Sequence, residues 1–386
     1  MELSSLLHSV IHGVWYYVVI FLLILTVVVF IHEMGHFLVA RWNGVKVDVF
    51  SIGFGPEVWG RTDPKTGTRW RISLIPLGGY VKFFGDADAS STTSDERVMT
   101  EDEKAVAFQH KRVGQRAAVV FAGPAANFVF AILGLAGMFM VLGQPVTEPV
   151  VGSVHADTAA EAAGLRAGDR IVAINGQAVE RFQDIQRIVR LEIEHPLDLS
   201  VQRGTETLSI SAQPRVIQRK GVFGDMEKVP VLGITADPAS TRIVSHGPVS
   251  ALVESLRETE GMVRSTFIGI GQMINGTRDT DELGGPIRIA KGAGEAAQIG
   301  LSSVIFYTIW LSLNLGLINL FPIPVLDGGH LLFYAFEAIL GRPLGERAQE
   351  YGFRIGLFLV LALMVFATRN DIVALPIWEV VKRLFS

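Results

Sequence analysis

From Val14 to Ile31 the chain runs eighteen residues without a charge, long enough to cross a bilayer or to serve as a cleaved leader. A leader carries Lys or Arg ahead of its apolar stretch and a small-residue cleavage site behind it. Residues 1–13 hold neither Lys nor Arg, and His32-Glu33 follows at once, so the run reads as a retained membrane helix, a span of about Val14 to Ala40 that ends through HEMGH. Three further candidates follow: Ala117 to Leu142, uncharged but holding Pro124 and Asn127; a stretch from Leu301 through Asn314 and Asn319 that breaks up at Pro322 and Pro324; and a shorter one, about Tyr351 to Thr368, containing Arg354. A composition 49% hydrophobic and only 19% charged, with mean hydropathy +0.38, agrees with repeated spans. With a net charge of −4, nothing suggests a nucleic-acid partner. With no cysteine there is no disulfide, thiol nucleophile or thiolate ligand.

Basic residues orient the spans. Arg41 and Lys46 follow the first, Lys111, Arg112 and Arg116 precede the second, and Arg342 and Arg347 lie between the last two. With four spans all three groups share the cytoplasmic side, both termini face outward, and so does the segment from Gly143 to about Gly300. Within it, alternating stretches such as Arg170–Ile174 and Leu197–Val201 predict strands, Phe182–Arg190 a helix, and Asn175-Gly176 a tight turn. The sequence Ala162-Ala-Gly-Leu-Arg-Ala-Gly-Asp-Arg-Ile171, followed by Val-Ala-Ile-Asn-Gly, resembles a PDZ domain over residues 148–215. Such a domain accepts an extended peptide by strand addition, although a plain spacer is the alternative. Residues 216–300 read as a β-like remainder near Val231–Ile234, then amphipathic helix over Pro248–Ile274. Ser90–Ser94 is a short low-complexity patch, read as a loop tip.

Chemistry concentrates at the end of the first span. His32 and His36 stand four residues apart, on one helical face, where two neutral imidazoles can take adjacent corners of a zinc tetrahedron. Glu33 sits beside the first ligand, placed to act as general base. Ionisable side chains in a span are costly and usually mark function. Catalytic zinc takes three protein ligands, and the third candidate is Asp327, after Asn319-Leu-Phe-Pro-Ile-Pro-Val-Leu-Asp-Gly-Gly329, whose prolines and glycines predict irregular backbone facing an internal site. Glu57 and His330 are weaker alternatives, one in a Gly-Phe-Gly-Pro-Glu loop and the other three residues past Asp327. The remaining histidines lack partner spacing.

HEMGH in a first span, Asn-x-x-Pro-x-Pro-x-Leu-Asp-Gly in a later one and an outward PDZ-like segment together resemble bacterial site-2 proteases of the RseP type. Gly123-Pro-Ala-Ala-Asn127 and Gly78-Gly-Tyr-Val-Lys-Phe83 match that family too, whereas a single PDZ-like domain departs from members that carry two. The resemblance implies a polytopic α-helical membrane protein of about four transmembrane helices, with an inserted extracytoplasmic β-rich PDZ domain and a membrane-associated β-hairpin. Its expected segments are 1–142, 148–215, 216–300 and 301–386. It further implies an intramembrane zinc metalloprotease of the bacterial inner membrane, acting on single-pass membrane proteins already shortened on their outer side, such as anti-sigma factors, or on leftover signal peptides. Zn2+ would be held by His32, His36 and Asp327, with Glu33 catalytic. Substrate would lie along Gly79, Tyr80, Val81, Lys82 and Phe83, in a hairpin expected within Arg69–Phe84, and against Asn319. Asn127 is expected to bond between spans.

Overall fold

The computed structural model describes residues 2–85, 99–191, 195–220, 226–276 and 279–374; Ser90–Ser94 and the end of the expected C-terminal segment lie outside them. Helix α1 (Glu2–Trp42) precedes strands β1 (Val47–Thr62) and β2 (Arg69–Phe83), short helix α2 (Glu101–Val106) and helix α3 (Val113–Val141). There follow β3 (Gln144–Thr147), β4 (Val151–Val154), α4 (Ala159–Ala162), β5 (Arg170–Ile174), β6 (Gln177–Ala178), α5 (Phe182–Leu191), β7 (Leu197–Arg203) and β8 (Glu206–Ala212). The rest comprises β9 (Arg215–Lys220), β10 (Met226–Val231), β11 (Ile234–Ala236), β12 (Thr241–Val244), α6 (Pro248–Ile274), α7 (Pro286–Ile299), α8 (Leu301–Asn319), α9 (Asp327–Leu340) and α10 (Glu346–Ala374). Two compact units result: Met1–Gly134 with Gly284–Ser386, and Leu135–Leu283.

Among the described residues four helices are long and apolar enough to span a bilayer: Trp15–Trp42, Val113–Val141, Leu301–Asn319 and Arg347–Val373. Side chains such as Leu133, Phe358 and Val365 stand 60–74% exposed on them, a continuous apolar surface that lipid covers at no cost and water does not. The chain is a multi-pass membrane protein. The first span runs past Ile31, as expected. It continues through HEMGH, whose residues tolerate helix, to Trp42, where Gly44 takes φ +67 and the Asn43 and Gly44 N–H groups close onto the last carbonyls. At 1.5 Å per residue, His32 lies about 15 Å inside the helix end. The fourth span, Arg347–Val373, is longer than expected, and within it Arg354 pairs with Glu350 one turn earlier at 2.5 Å.

The hairpin differs from the expectation. Arg69–Phe83 is one strand, not two, and its partner is Val47–Thr62, which contains the segment read as a loop around Glu57. Gly78, at φ +121, bends β2 so that its two halves flank the same stretch of β1. Val49–Ile52 are paired with Gly79–Lys82 on one side and with Arg69–Ile72 on the other, and Arg69–Ser73 also pairs with Glu57–Thr62. Among the described residues Gly79–Phe83 is therefore an edge, with a strand neighbour on one side. Phe50 anchors this sheet to α1 through rings of Phe30, Phe37 and Trp70 at 4.5–5.8 Å. The far end leaves Val58, Trp59, Leu74 and Leu77 more than half exposed.

In the second unit, sheet β6-β5-β7-β8 and pair β11-β4 enclose Ile171, Ile174, Leu197, Leu199 and Val201, with Ile185 and Val189 of α5, four apart on one face, closing the core. Leu232 belongs to this core and β11 pairs with β4, so the expected limit at residue 215 cuts through the unit. Residues 286–299 correct the other limit. They form α7, which packs in the first unit, Gly294 leaving room for the Tyr17 ring.

Asp169 ties the motif around residues 162–171 to β7. Its carboxylate accepts from Arg203 Nε and Nη2 at 2.7 and 2.8 Å and from the Arg166 N–H at 2.8 Å. Burial alone would raise this carboxyl, but Arg203 and the Arg166 amide outweigh it and hold it below the usual range. A depressed folded pKa makes the contribution full above the unfolded value, about 3.9, and lost as pH falls through the lower folded one. Asp169→Asn is expected to cost about 2 kcal/mol at pH 7 and much less at pH 3, as read by urea titrations at the β5 and β7 amides.

Candidate active site

Two helices bring three candidate ligands to one point. α1 supplies His32 and His36, 7% and 9% exposed, and α9 supplies Asp327 from its first turn. His32 Nε2 lies 3.2 Å from His36 Nε2 and 3.1 Å from Asp327 Oδ2, and His36 Nε2 lies 3.6 Å from Asp327 Oδ1. Donors about 2.0–2.1 Å from a tetrahedral zinc stand about 3.3 Å apart, so these separations suit one ion. Asp327 Oδ2 is buried without a hydrogen bond, its 3.1 Å approach to His32 lacking the alignment of one. Two imidazole nitrogens and a buried carboxylate oxygen, all facing inward, fit zinc.

The approach of α1 to α3 depends on absent side chains. A Cβ on Gly35 would fall 2.2 Å from the Ala122 carbonyl oxygen, and one on Gly123 would fall 2.2 Å from His36 Nε2. Pro124 lies inside α3, where it cannot donate to the carbonyl one turn back and disturbs that turn. A carbonyl of the same turn, that of Val119, accepts from His36 Nδ1 at 2.9 Å. Beyond it, Asn127, fully buried, sits 3.2 Å from His32 Nδ1 and from Ser312 Oγ of α8. The interspan bond expected of Asn127 is there; the contact to His32 was not anticipated. Its signal was the four-residue spacing from Gly123, which sets both on one face of α3.

Asp327 is placed by the backbone ahead of it. The segment 320–326 is irregular, as expected of two prolines, and Val325 takes φ +108, strained for a β-branched residue. The glycines act otherwise than expected. Gly328 and Gly329 are helical, and they let α9 start directly beneath this segment, since a Cβ would lie 2.2 Å from the Phe321 oxygen or 2.4 Å from that of Ile323. Gly356 of α10 likewise admits the Pro324 carbonyl.

A cavity of about 590 Å³ opens on this centre. Glu33, Asn319, His330 and the edge residues Gly79, Tyr80, Val81 and Phe83 line it, while Lys82 does not. The Val81 N–H faces the Glu33 carboxylate, and a Cβ on Gly79 would fall 2.8 Å from the Ser51 carbonyl oxygen and 3.1 Å from Glu33 Cγ. Tyr80 is held by the Arg71 guanidinium at its hydroxyl and by Phe54 stacked 6.1 Å away. His330 stands outside the ligand group, its ring 5.4 Å from that of Phe353. Glu57 is not at the centre either; it forms a two-pronged pair with Arg69 on the hairpin at 2.5 and 2.8 Å.

Fold and site together define a class, a multi-pass membrane protein with a His-His-Asp group placed to hold one metal ion and a glutamate beside it. Residues 20–363 match peptidase family M50. The chain belongs to that family, the site-2 proteases, and is a membrane-embedded zinc metalloprotease. Over 363 residues it is 47% identical to "Putative zinc metalloprotease Atu1380" of Agrobacterium fabrum, covering 93% of this chain and 96% of that one. Over 389 residues it is 38% identical to metalloprotease MmpA of Caulobacter vibrioides, covering 95% and 97%. A solved PDZ domain of an SdrC-like protein from Listeria monocytogenes is 25% identical with TM-score 0.19, covering 22% of this chain and 84% of that one.

Proposed function

We propose that the protein hydrolyses peptide bonds within or near transmembrane segments of other membrane proteins. The observation that carries this reading is an HEMGH metal site inside a spanning helix, faced by the edge of a β-sheet across one cavity. A helical substrate hides its peptide bonds in its own hydrogen bonds and must unwind to be cut. The Gly79–Phe83 edge offers backbone groups to such an unwound stretch, compensating the bonds it gives up. Asn319, ending α8 at the cavity, presents an amide to substrate backbone. Zinc held by His32, His36 and Asp327 supplies Lewis-acid polarisation and makes water more acidic. Glu33 takes the proton of the attacking water and hands it to the departing amine, and it lies against Gly79 and Val81 of the strand on which substrate lies.

The distribution of basic residues supports cytoplasmic loops at Arg41–Lys46, Lys111–Arg116 and Arg342–Arg347 in a bacterial inner membrane, with both termini and the second unit outside. In that unit α5 and β11 border a cavity of about 500 Å³. β11 has β4 on one side only among the described residues, which suits a PDZ domain receiving a peptide or substrate end by strand addition. Single-pass proteins already shortened outside, including anti-sigma factors and remnant signal peptides, are the substrates in keeping with this arrangement.

The test is cleavage of a reporter containing one transmembrane helix by detergent-solubilised protein. Cleavage is expected to stop with a zinc chelator and return with zinc; chelator-resistant cleavage, or activity on soluble proteins alone, would overturn the reading. Asp327→Asn, which replaces a carboxylate ligand by a neutral amide, is expected to weaken zinc retention on the order of 10²-fold or more. Metal analysis of purified protein finding one zinc per chain would contradict it.

A further inference from the structure

Asn127 contacts a zinc ligand through the nitrogen that does not face the metal, and its hydrogen-bond chain has one arrangement compatible with metal binding. His36 shows what is required. Its Nδ1 lies 2.9 Å from the Val119 carbonyl, which can only accept, so the proton of a neutral His36 is on Nδ1 and the lone pair of Nε2 points at the centre. His32 Nε2 lies 3.2 Å from that same Nε2. Its lone pair must point to the same place, so His32 also needs its proton on Nδ1, with an acceptor for it.

In the structure it is Asn127 Nδ2, a donor, that stands 3.2 Å from His32 Nδ1, while Asn127 Oδ1 faces Ser312 Oγ at 3.2 Å. That orientation leaves the His32 proton on Nε2, where it excludes a metal. A half-turn of the amide exchanges its two ends without moving any other group. His32 Nδ1–H then donates to Asn127 Oδ1, Asn127 Nδ2–H donates to Ser312 Oγ, and Ser312 Oγ–H donates to the Asn127 carbonyl oxygen, 3.4 Å away. Each of the three contacts is used once, and all of it is buried, with Asn127 and Ser312 at 0% exposure. With the amide turned the other way, Asn127 Nδ2–H donates to His32 Nδ1 and Ser312 Oγ–H to Asn127 Oδ1, so the two arrangements differ by one amide turn.

We propose that Asn127, braced by Ser312, is a positioning residue for zinc: it accepts from His32 Nδ1–H and so holds the Nε2 lone pair toward the metal. This rests on the zinc-protease reading. Ligand-orienting partners of this kind commonly contribute 10–100-fold in metal affinity.

The test measures zinc affinity by competition with a chromophoric chelator in the detergent-solubilised full chain, for the unaltered protein, Asn127→Asp and Asn127→Leu. Aspartate can only accept, and Ser312 can donate to it. Asn127→Asp is therefore expected to bind zinc as tightly as the unaltered protein or more so, and Asn127→Leu about 10–100-fold more weakly. A residue that merely joined α3 to α8 through its amide donor would be lost in both variants alike. If Asn127→Asp weakens zinc more than tenfold while keeping the helical circular dichroism and elution volume of the unaltered protein, the proposal is overturned. Equal affinity of Asn127→Leu and the unaltered protein overturns it too. Should Asn127→Leu not fold, Asn127→Asp against the unaltered protein decides. Failure of the unaltered protein to bind zinc at all would sink the underlying function, a different result from any of these.

Discussion

Glu33→Gln should retain one zinc per chain and lose cleavage by about 10³-fold, within the range for removing a general base. Gln has the shape of Glu and can still face the Val81 N–H, so the edge strand keeps its place. None of the proposed ligands is touched, since the ligand group is His32, His36 and Asp327. What the amide cannot do is take a proton from water and return it to an amine. Initial rates on the transmembrane reporter, with zinc analysis of the same preparation, check both halves. Cleavage at the unaltered rate removes Glu33 from the mechanism, and a variant lacking zinc reassigns it to the ligand set.

Gly123→Ala is the second change of large effect, and it works through geometry alone. The added methyl would stand 2.2 Å from His36 Nε2, 2.5 Å from its Cε1 and 2.9 Å from His32 Cε1. It would thus occupy the space the two imidazoles use. The helices cannot simply close elsewhere, because Gly35 already touches the Ala122 carbonyl. We expect α1 and α3 to be forced apart, with overpacking of about 1–3 kcal/mol and zinc affinity lower by more than about 10²-fold, since a ligand moves rather than its partner. Gly137→Ala on the same helix, where a Cβ meets nothing within 4 Å, should bind zinc normally and serves as the control. Tight zinc binding by Gly123→Ala would mean that α3 does not approach the centre as described.

How far these residues could be read in advance follows the range of the interactions involved. Spans depend on a local property, the apolarity of about twenty consecutive residues, and all four were legible. The i, i+4 spacing of His32 and His36 is also local, because helix geometry alone converts it into a shared face. Asp327 was legible for a related reason: a carboxylate next to broken backbone in a span needs a cation. Misreadings occurred where local signals and distant pairing disagree. Gly53, Gly55 and Pro56 read as a loop, yet β1 runs through them, its glycines taking positive φ at irregular register, because both halves of β2 pair with its first half. Gly328 and Gly329 read as helix breakers, yet they are helical because segment 320–324 lies against them. The limit at 215 failed because β11, three residues long, is recognisable only by its pairing with β4.

The chain's order of residues was enough to establish a membrane protein with a zinc-binding pair and an adjacent base, since helical periodicity and hydrophobicity act within a few turns. Folding alone decided that Asp327 meets His32 and His36 within 3.6 Å, that Val81 reaches Glu33, and that Asn127 stands behind His32. These contacts join residues separated by 48 to about 300 positions, and their distances depend on how closely α1, α3, α8 and α9 pack. That closeness comes from glycines whose missing side chains have no local signature until the neighbouring helix is in place.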